Sequence, residues 1–157
     1  MRKQRQVARA LKDTFVHRVL GEHIFGARLW GPHRRAVANG LALGLFIAFT
    51  PTIPFQMLLA VAGAVVLKVN LPAAVVGVWV TNPFTAVPIY LTANRLGKHI
   101  LLDTWLLELV QDVFLPAGRS GAFLNQALFL WTGSLFMAGI SALLGWATVH
   151  LLWALLE

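Results

Sequence analysis

Apolar positions run almost unbroken from residue 36 to residue 94, and the interruptions carry the information. Lys68 is the one charged residue in this stretch. The run divides into two units of the same form: apolar, then proline with polar neighbours, then apolar again. The first interruption is Thr50-Pro51-Thr52-Ile53-Pro54 with Gln56 behind it. The second is Thr81-Asn82-Pro83-Phe84-Thr85, closed by Pro88. A continuous helix over 36–67 would be about 48 Å long, against a hydrocarbon core of about 30 Å. Pro51 and Pro54 each remove a backbone donor and disturb the helix before them. Arms over 38–50 and 55–67 would each reach about 20 Å, too short to cross a bilayer and long enough to enter and turn back.

The second unit follows a hinge over 68–72, where Asn70 is placed as a helix cap and Pro72 suits a first helical turn. It reads as apolar over 73–80, broken at 81–85 and apolar again over 87–94. Pro51 and Pro83 stand 32 positions apart, a weak internal repeat. Beyond it, residues 122–156 are apolar with His150 as the one internal ionisable group, long enough for a full crossing with tilt. Ala138, Ser141, Ala142 and Gly145 form small-xxx-small pairs that let helices approach closely. His150 reads as an interfacial residue, with a proton carrier as the sharper alternative.

Two flanking stretches have helical spacing of another kind. In residues 2–20, Val7, Leu11, Phe15 and Val19 recur every four positions while Arg2, Lys3, Arg5, Arg9 and Lys12 supply a basic side. Such a helix lies in the headgroup plane and is attracted by anionic lipid. Residues 101–115 place Trp105, Leu106, Leu109, Val110 and Val113 on one face and Asp103, Glu108 and Asp112 on the other. Three carboxylates without a partnering histidine match no metal-ligand spacing, so a solvated face is the reading and no metal is expected. Residues 116–121 form a Pro-Gly-Ser loop. The chain thus divides into a basic segment (1–35), a membrane core of paired broken helices (36–100), an amphipathic helix with its loop (101–121) and a C-terminal transmembrane helix (122–157).

Composition sharpens this picture. Of 157 residues, 58% are hydrophobic and only 12% charged, where a soluble domain carries about a quarter charged residues. Mean hydropathy is +0.71. The net charge of +7 is concentrated early, nine of the thirteen Lys and Arg preceding Ala36. By the positive-inside rule that block is cytoplasmic. No apolar stretch follows Arg2–Arg5 closely enough for a signal peptide, so the N-terminus is expected to remain. A nucleic-acid arm is the alternative suggested by the basic charge, but no DNA-binding motif accompanies it. The absence of cysteine excludes disulfides and thiolate metal sites.

The expected fold is therefore an all-α integral membrane protein: two proline-broken helical hairpins, flanking amphipathic interfacial helices and one C-terminal transmembrane helix. Charge placement favours re-entrant hairpins, which put the basic block, Lys68, Arg95 and Lys98 on one side. One broken crossing per unit, with Lys68 outside, is the alternative. No phosphate-cradling loop, zinc motif or nucleophilic triad is present, so an enzyme is not expected and no cofactor is implied. The candidates for a substrate path, or for structural satisfaction of the breaks, are Thr50, Pro51, Pro54, Gln56, Thr81, Asn82, Pro83, Thr85 and Tyr90. Neutral polar groups beside unwound backbone are what transporter sites near the bilayer midplane use. The plainer reading is that they satisfy backbone groups freed by the prolines.

Gly40-Leu-Ala-Leu-Gly-Leu-Phe-Ile-Ala-Phe-Thr-Pro-Thr-Ile-Pro-Phe-Gln-Met-Leu-Leu-Ala60, Lys68-Val-Asn-Leu-Pro-Ala-Ala74, Trp79-Val-Thr-Asn-Pro-Phe-Thr85 and Tyr90 through Gly97 resemble the bacterial "domain of unknown function 2062" family. The resemblance covers residues 30–97. It implies a small bacterial inner-membrane protein. The family carries no assigned activity; relatives fused to glycosyltransferase domains imply an envelope-biosynthesis partner. Together these readings point to binding or transport of a lipid-like or small polar or ionic substrate at the paired breaks, linked to envelope lipid or glycan metabolism. Homo-oligomerisation through the last helix would complete the site. The alternative is a non-transporting scaffold whose basic N-terminal helix recruits a cytoplasmic partner.

Overall fold

The computed structural model describes residues 27–102 and 119–157, and every regular element among them is helical. A single turn, α1 (Ala27–Trp30), precedes α2 (Arg34–Phe49), α3 (Gln56–Leu67), α4 (Leu71–Val78), α5 (Pro83–Leu102) and α6 (Arg119–Leu156). The basic side of Arg2, Lys3, Arg5, Arg9 and Lys12, and the carboxylates Asp103, Glu108 and Asp112, lie outside the described residues.

The first unit is a hairpin. α2 and α3 are joined by a turn over residues 50–55 in which the Ile53–Pro54 peptide is cis. Their open ends meet, because the Asn70 amide N–H donates to the Ala36 carbonyl at 3.0 Å. The Asn70 side chain works in both directions: its Nδ2 donates to the Gly31 carbonyl, and its Oδ1 accepts from Ala73 N at 2.8 Å. That last bond is an N-cap, with Pro72 in the first turn of α4 as the sequence led one to expect. Lys68 closes α3 in the left-handed region (φ 54°), a position where glycine is the usual occupant.

α4 then runs beside α2 in the same direction. Gly40 lies under the Asn70 carbonyl, Gly44 under the Ala74 carbonyl and Gly77 under Gly44. A Cβ at Gly77 would meet the Gly44 Cα at 2.9 Å, so the two backbones touch.

The second unit differs from the first. α4 and α5 are bent by 75° at the break between them. Two equal arms were expected; they are 8 and 20 residues long. Pro88, expected to close the break, lies inside α5. The reason is local: Asn82 Oδ1 accepts from the N–H groups of Phe84 and Thr85, so Pro83 opens a helix five residues earlier. α6 likewise starts at Arg119, taking in three residues expected to be loop. Gly121 costs a helix only about 1 kcal/mol, little against continuing a long apolar one.

α6 is the backbone of the fold. Its C-terminal half packs antiparallel to α2, through Arg34–His150, Asn39–Trp146 and Gly145 under Leu45. Its N-terminal half packs antiparallel to α5, through Asn94–Gln126, Gly97 under Phe129 and Gly133 under the Ala93 carbonyl. Ala138 and Gly145 of the small-residue face are therefore used within the chain, and Ser141 and Ala142 are half-buried. Among the described residues one helix, Gly121–Leu156, is by itself long and apolar enough to cross a membrane. Small residues fill the fully buried positions, beside the nearly buried Leu29, Ile47, Val69, Leu71, Val78 and Phe129. Ala38, Ala48, Ala60, Ala64, Ala74, Ala93 and Ala138 are fully buried, and Ser134 is the largest fully buried side chain among the described residues. Phe84 (91% exposed), Val66, Leu143 and Leu155 face outward.

Candidate functional site where the two breaks meet

A helix that stops inside a bundle leaves carbonyls without partners. α2 does so at Phe49, with Thr50 as its extended C-cap. Its last carbonyls are claimed by side chains from three other segments. Gln56 Nε2, at the start of α3, lies 3.2 Å from Ile47 O, 3.0 Å from Ala48 O and 2.9 Å from Thr50 O. Thr81, in the second break, donates from Oγ1 to Ala48 O at 2.6 Å. Tyr90, on α5, donates from its hydroxyl to Thr50 O at 2.9 Å and accepts from Gln56 Nε2 at 2.9 Å. Thr50 itself folds back, Oγ1 donating to Ile47 O at 2.7 Å. Thr50, Gln56 and Thr81 are buried and Tyr90 half-buried.

The nine candidates thus separate into three groups. Thr50, Gln56, Thr81 and Tyr90 converge on one carbonyl cluster. Pro51 and Pro54 form the turn between α2 and α3. Asn82, Pro83 and Thr85 stand at the start of α5 and serve that helix: Asn82 N donates to Thr85 Oγ1, which donates to Val80 O at 2.7 Å. The two breaks therefore meet, through Thr81 and Tyr90 but not through the Asn-Pro-Phe-Thr motif itself.

Beside the cluster runs an open groove of about 480 Å³ between α5 and α6, lined by Ala86, Val87, Tyr90, Leu91, Asn94, Gln126 and Leu130. Its walls are apolar. Tyr90 brings it to the cluster, and Asn94 Nδ2, donating to Gln126 Oε1 at 3.1 Å and to the Gln126 carbonyl, is its second polar point. Gln126 gave no signal in the sequence. Gly40–Gly44 and Ala93–Gly97 did carry one, as small-xxx-small pairs that set the α2–α4 and α5–α6 contacts.

The match to a family model extends well beyond residues 30–97. It covers residues 17–157, and the family is described as an uncharacterized protein conserved in bacteria (DUF2062). The chain belongs to the DUF2062 family. No curated protein and no solved structure matches it. For this DUF2062 protein the site must therefore be read from its own chemistry. Among the described residues no three His, Cys, Asp or Glu side chains come together. Arg34 Nε donates to His150 Nδ1 at 2.7 Å, and the Trp146 ring packs against the same imidazole at a 41° tilt. That pair lies at the far end of α6 from the groove. Gln126 and His150 are 24 residues apart on one helix, roughly 36 Å at 1.5 Å per residue.

Proposed function

We propose that this protein is an inner-membrane carrier that holds a lipid-like substrate in the α5–α6 groove, with the carbonyl cluster at its inner end. The observation that carries the reading is the meeting of the two breaks: donors from both units gather at one buried helix end, and an apolar groove leads to it. Cluster formation from separate segments goes beyond each break capping its own helix. Small residues inside and large apolar residues outside suit lipid as the surrounding solvent. The spacing of Arg34–His150 and Asn94–Gln126 suits a hydrocarbon core of about 30 Å between two polar levels.

In this reading α2–α3 is a re-entrant hairpin, α4–α5 a broken crossing and α6 a second crossing. Arg34, Arg35 and Lys68 then share the cytoplasmic side with the N-terminal basic block, while Arg95 and Lys98 face the periplasm. This mixed topology places ten of the thirteen Lys and Arg inside. The chemistry is binding and passage, not catalysis, since the cluster is built from carbonyls, hydroxyls and an amide. The scaffold alternative differs in needing residues 1–20 and in tolerating changes at the groove.

The test is photo-crosslinking in phosphatidylethanolamine–phosphatidylglycerol vesicles carrying a phospholipid with a diazirine in its acyl tail. Crosslinks should concentrate on residues 86–94 and 126–130 and fall several-fold when Ala86→Trp and Leu130→Trp fill the groove. Crosslinks spread evenly over exposed α3 and α6, and unchanged by those substitutions, would refute the proposal.

A further inference from the structure

Gln56 Nε2 is an amide nitrogen with two protons, yet four oxygens surround it. Ile47 O, Ala48 O, Thr50 O and Tyr90 OH stand at 3.2, 3.0, 2.9 and 2.9 Å. Three are main-chain carbonyls at the C-terminal end of a 16-residue helix, where the macrodipole concentrates about half a negative charge. The fourth has its proton committed to Thr50 O, so lone pairs remain for whatever occupies the centre. Only the nitrogen of the amide suits this point, because its oxygen would face three acceptors that cannot donate. Two protons satisfy at most two of the four oxygens at one time; Ile47 O also accepts from Thr50 N and Oγ1, Ala48 O from Thr81 Oγ1, and Thr50 O from Thr52 N and the Tyr90 hydroxyl.

We infer that this oxygen cage is a binding site for a monovalent cation of potassium or ammonium size, and that the Gln56 amide is its tethered occupant. An ammonium ion brings four donors to four acceptors, at the N–H···O distances of about 2.7–3.2 Å that the cage offers. Potassium is held in a similar way by rings of backbone carbonyls that replace its hydration shell. Divalent ions are too small, since Ca²⁺ takes oxygens at about 2.3–2.6 Å and Mg²⁺ at about 2.0–2.1 Å. A cation enters by displacing Gln56, which frees the Gln56–Tyr90 contact between α3 and α5. The inference stands on the cage and not on a lipid in the groove, so loss of lipid crosslinking leaves it intact.

Tyr90 is the one tyrosine in the chain, and this makes the displacement visible. The full chain, labelled with 3-fluorotyrosine in detergent micelles, gives a single ¹⁹F resonance from the residue that touches the cage. Titration with potassium or ammonium chloride should move it saturably. N-methyl-D-glucamine chloride at matched ionic strength should not, and sodium should act more weakly. Gln56→Ala removes the competing amide and should tighten the apparent affinity about tenfold, because a cage no longer self-occupied is competent in every molecule. Gln56→Lys should fold and lose the response, its own ammonium taking the site. A shift equally produced by N-methyl-D-glucamine, no saturable shift in either wild type or Gln56→Ala, or an affinity that Gln56→Ala leaves unchanged would overturn the inference. So would a Gln56→Lys protein that unfolds where Gln56→Ala folds, which would show that the cage rejects positive charge.

Discussion

Replacing Thr81 by Val and Gln56 by Leu should cost more together than the two substitutions cost apart. Both residues donate to the same buried acceptor, Ala48 O, at 2.6 Å from Thr81 Oγ1 and 3.0 Å from Gln56 Nε2. Thr81→Val removes one bond at nearly constant volume and leaves Ala48 O with Gln56. The cost is that of one net hydrogen bond, about 1 kcal/mol. Gln56→Leu removes an amide with two protons and leaves Ala48 O with Thr81, at about 2 kcal/mol.

In the double variant the nearest remaining donor is the Tyr90 hydroxyl at 3.5 Å, already committed to Thr50 O at 2.9 Å. A buried carbonyl is then left without a partner in an apolar interior where water does not replace it. That adds about 1–3 kcal/mol beyond the sum of the single costs. The assay is a double-mutant cycle by SDS titration in mixed micelles, followed by tryptophan fluorescence. Additivity within about 0.5 kcal/mol would mean the two residues act independently, and would refute Ala48 O as the shared acceptor.

Other outcomes follow from the same contacts. Gly133→Ala and Gly139→Ala on α6 should differ in sign: a Cβ at 133 would lie 2.7 Å from the Ala93 carbonyl carbon, whereas nothing stands within 4 Å at 139. The first should destabilise by about 1–3 kcal/mol and the second stabilise by up to about 1 kcal/mol through helix propensity, both readable in the same SDS titration. For topology, Lys68→Cys and Lys98→Cys in this cysteine-free chain should react with an impermeant maleimide from opposite faces of the membrane, Lys98→Cys from the periplasm. Labelling of both from one face would rule out α4–α5 as a crossing.

What could be read from the sequence was what is local. Asn70 and Pro72 declare the start of α4 because a cap and a first-turn proline act within a few residues. Pro51 and Pro54 likewise mark the end of α2, and arm length alone makes a hairpin of α2–α3. The bend of the second unit was hidden because the charges at its two ends, Lys68 before it and Arg95 and Lys98 after it, favoured a hairpin. Apolar arms on both sides of Pro83 look the same whether the chain turns back or bends by 75°. Pro88 misled for a related reason, since its effect depends on a cap at Asn82 that restarts the helix before it. Three of the four partners of Gln56 were unreadable in principle: they are carbonyls of isoleucine, alanine and threonine, whose side chains do not disclose where their backbone oxygens point.

The asymmetry between the two units has one physical source. α2 begins at the level of His150 and runs 16 residues, about 24 Å, along an α6 of 38 residues, about 57 Å. Its C-terminal carbonyls therefore end deep within the bundle, with α3 turning away from them. Gln56 at the hairpin turn supplies donors to them from the same unit. The short α4, held against α2 through Gly44 and Gly77, stops level with Ala48 and brings Thr81 onto its carbonyl. The 75° turn that follows carries α5 across the end of α2, where Tyr90 reaches Thr50 O. The bend in the second unit and the satisfaction of the first are thus one structural event. A change that straightens α4 into α5 should expose the cluster even if every residue of the cluster is kept.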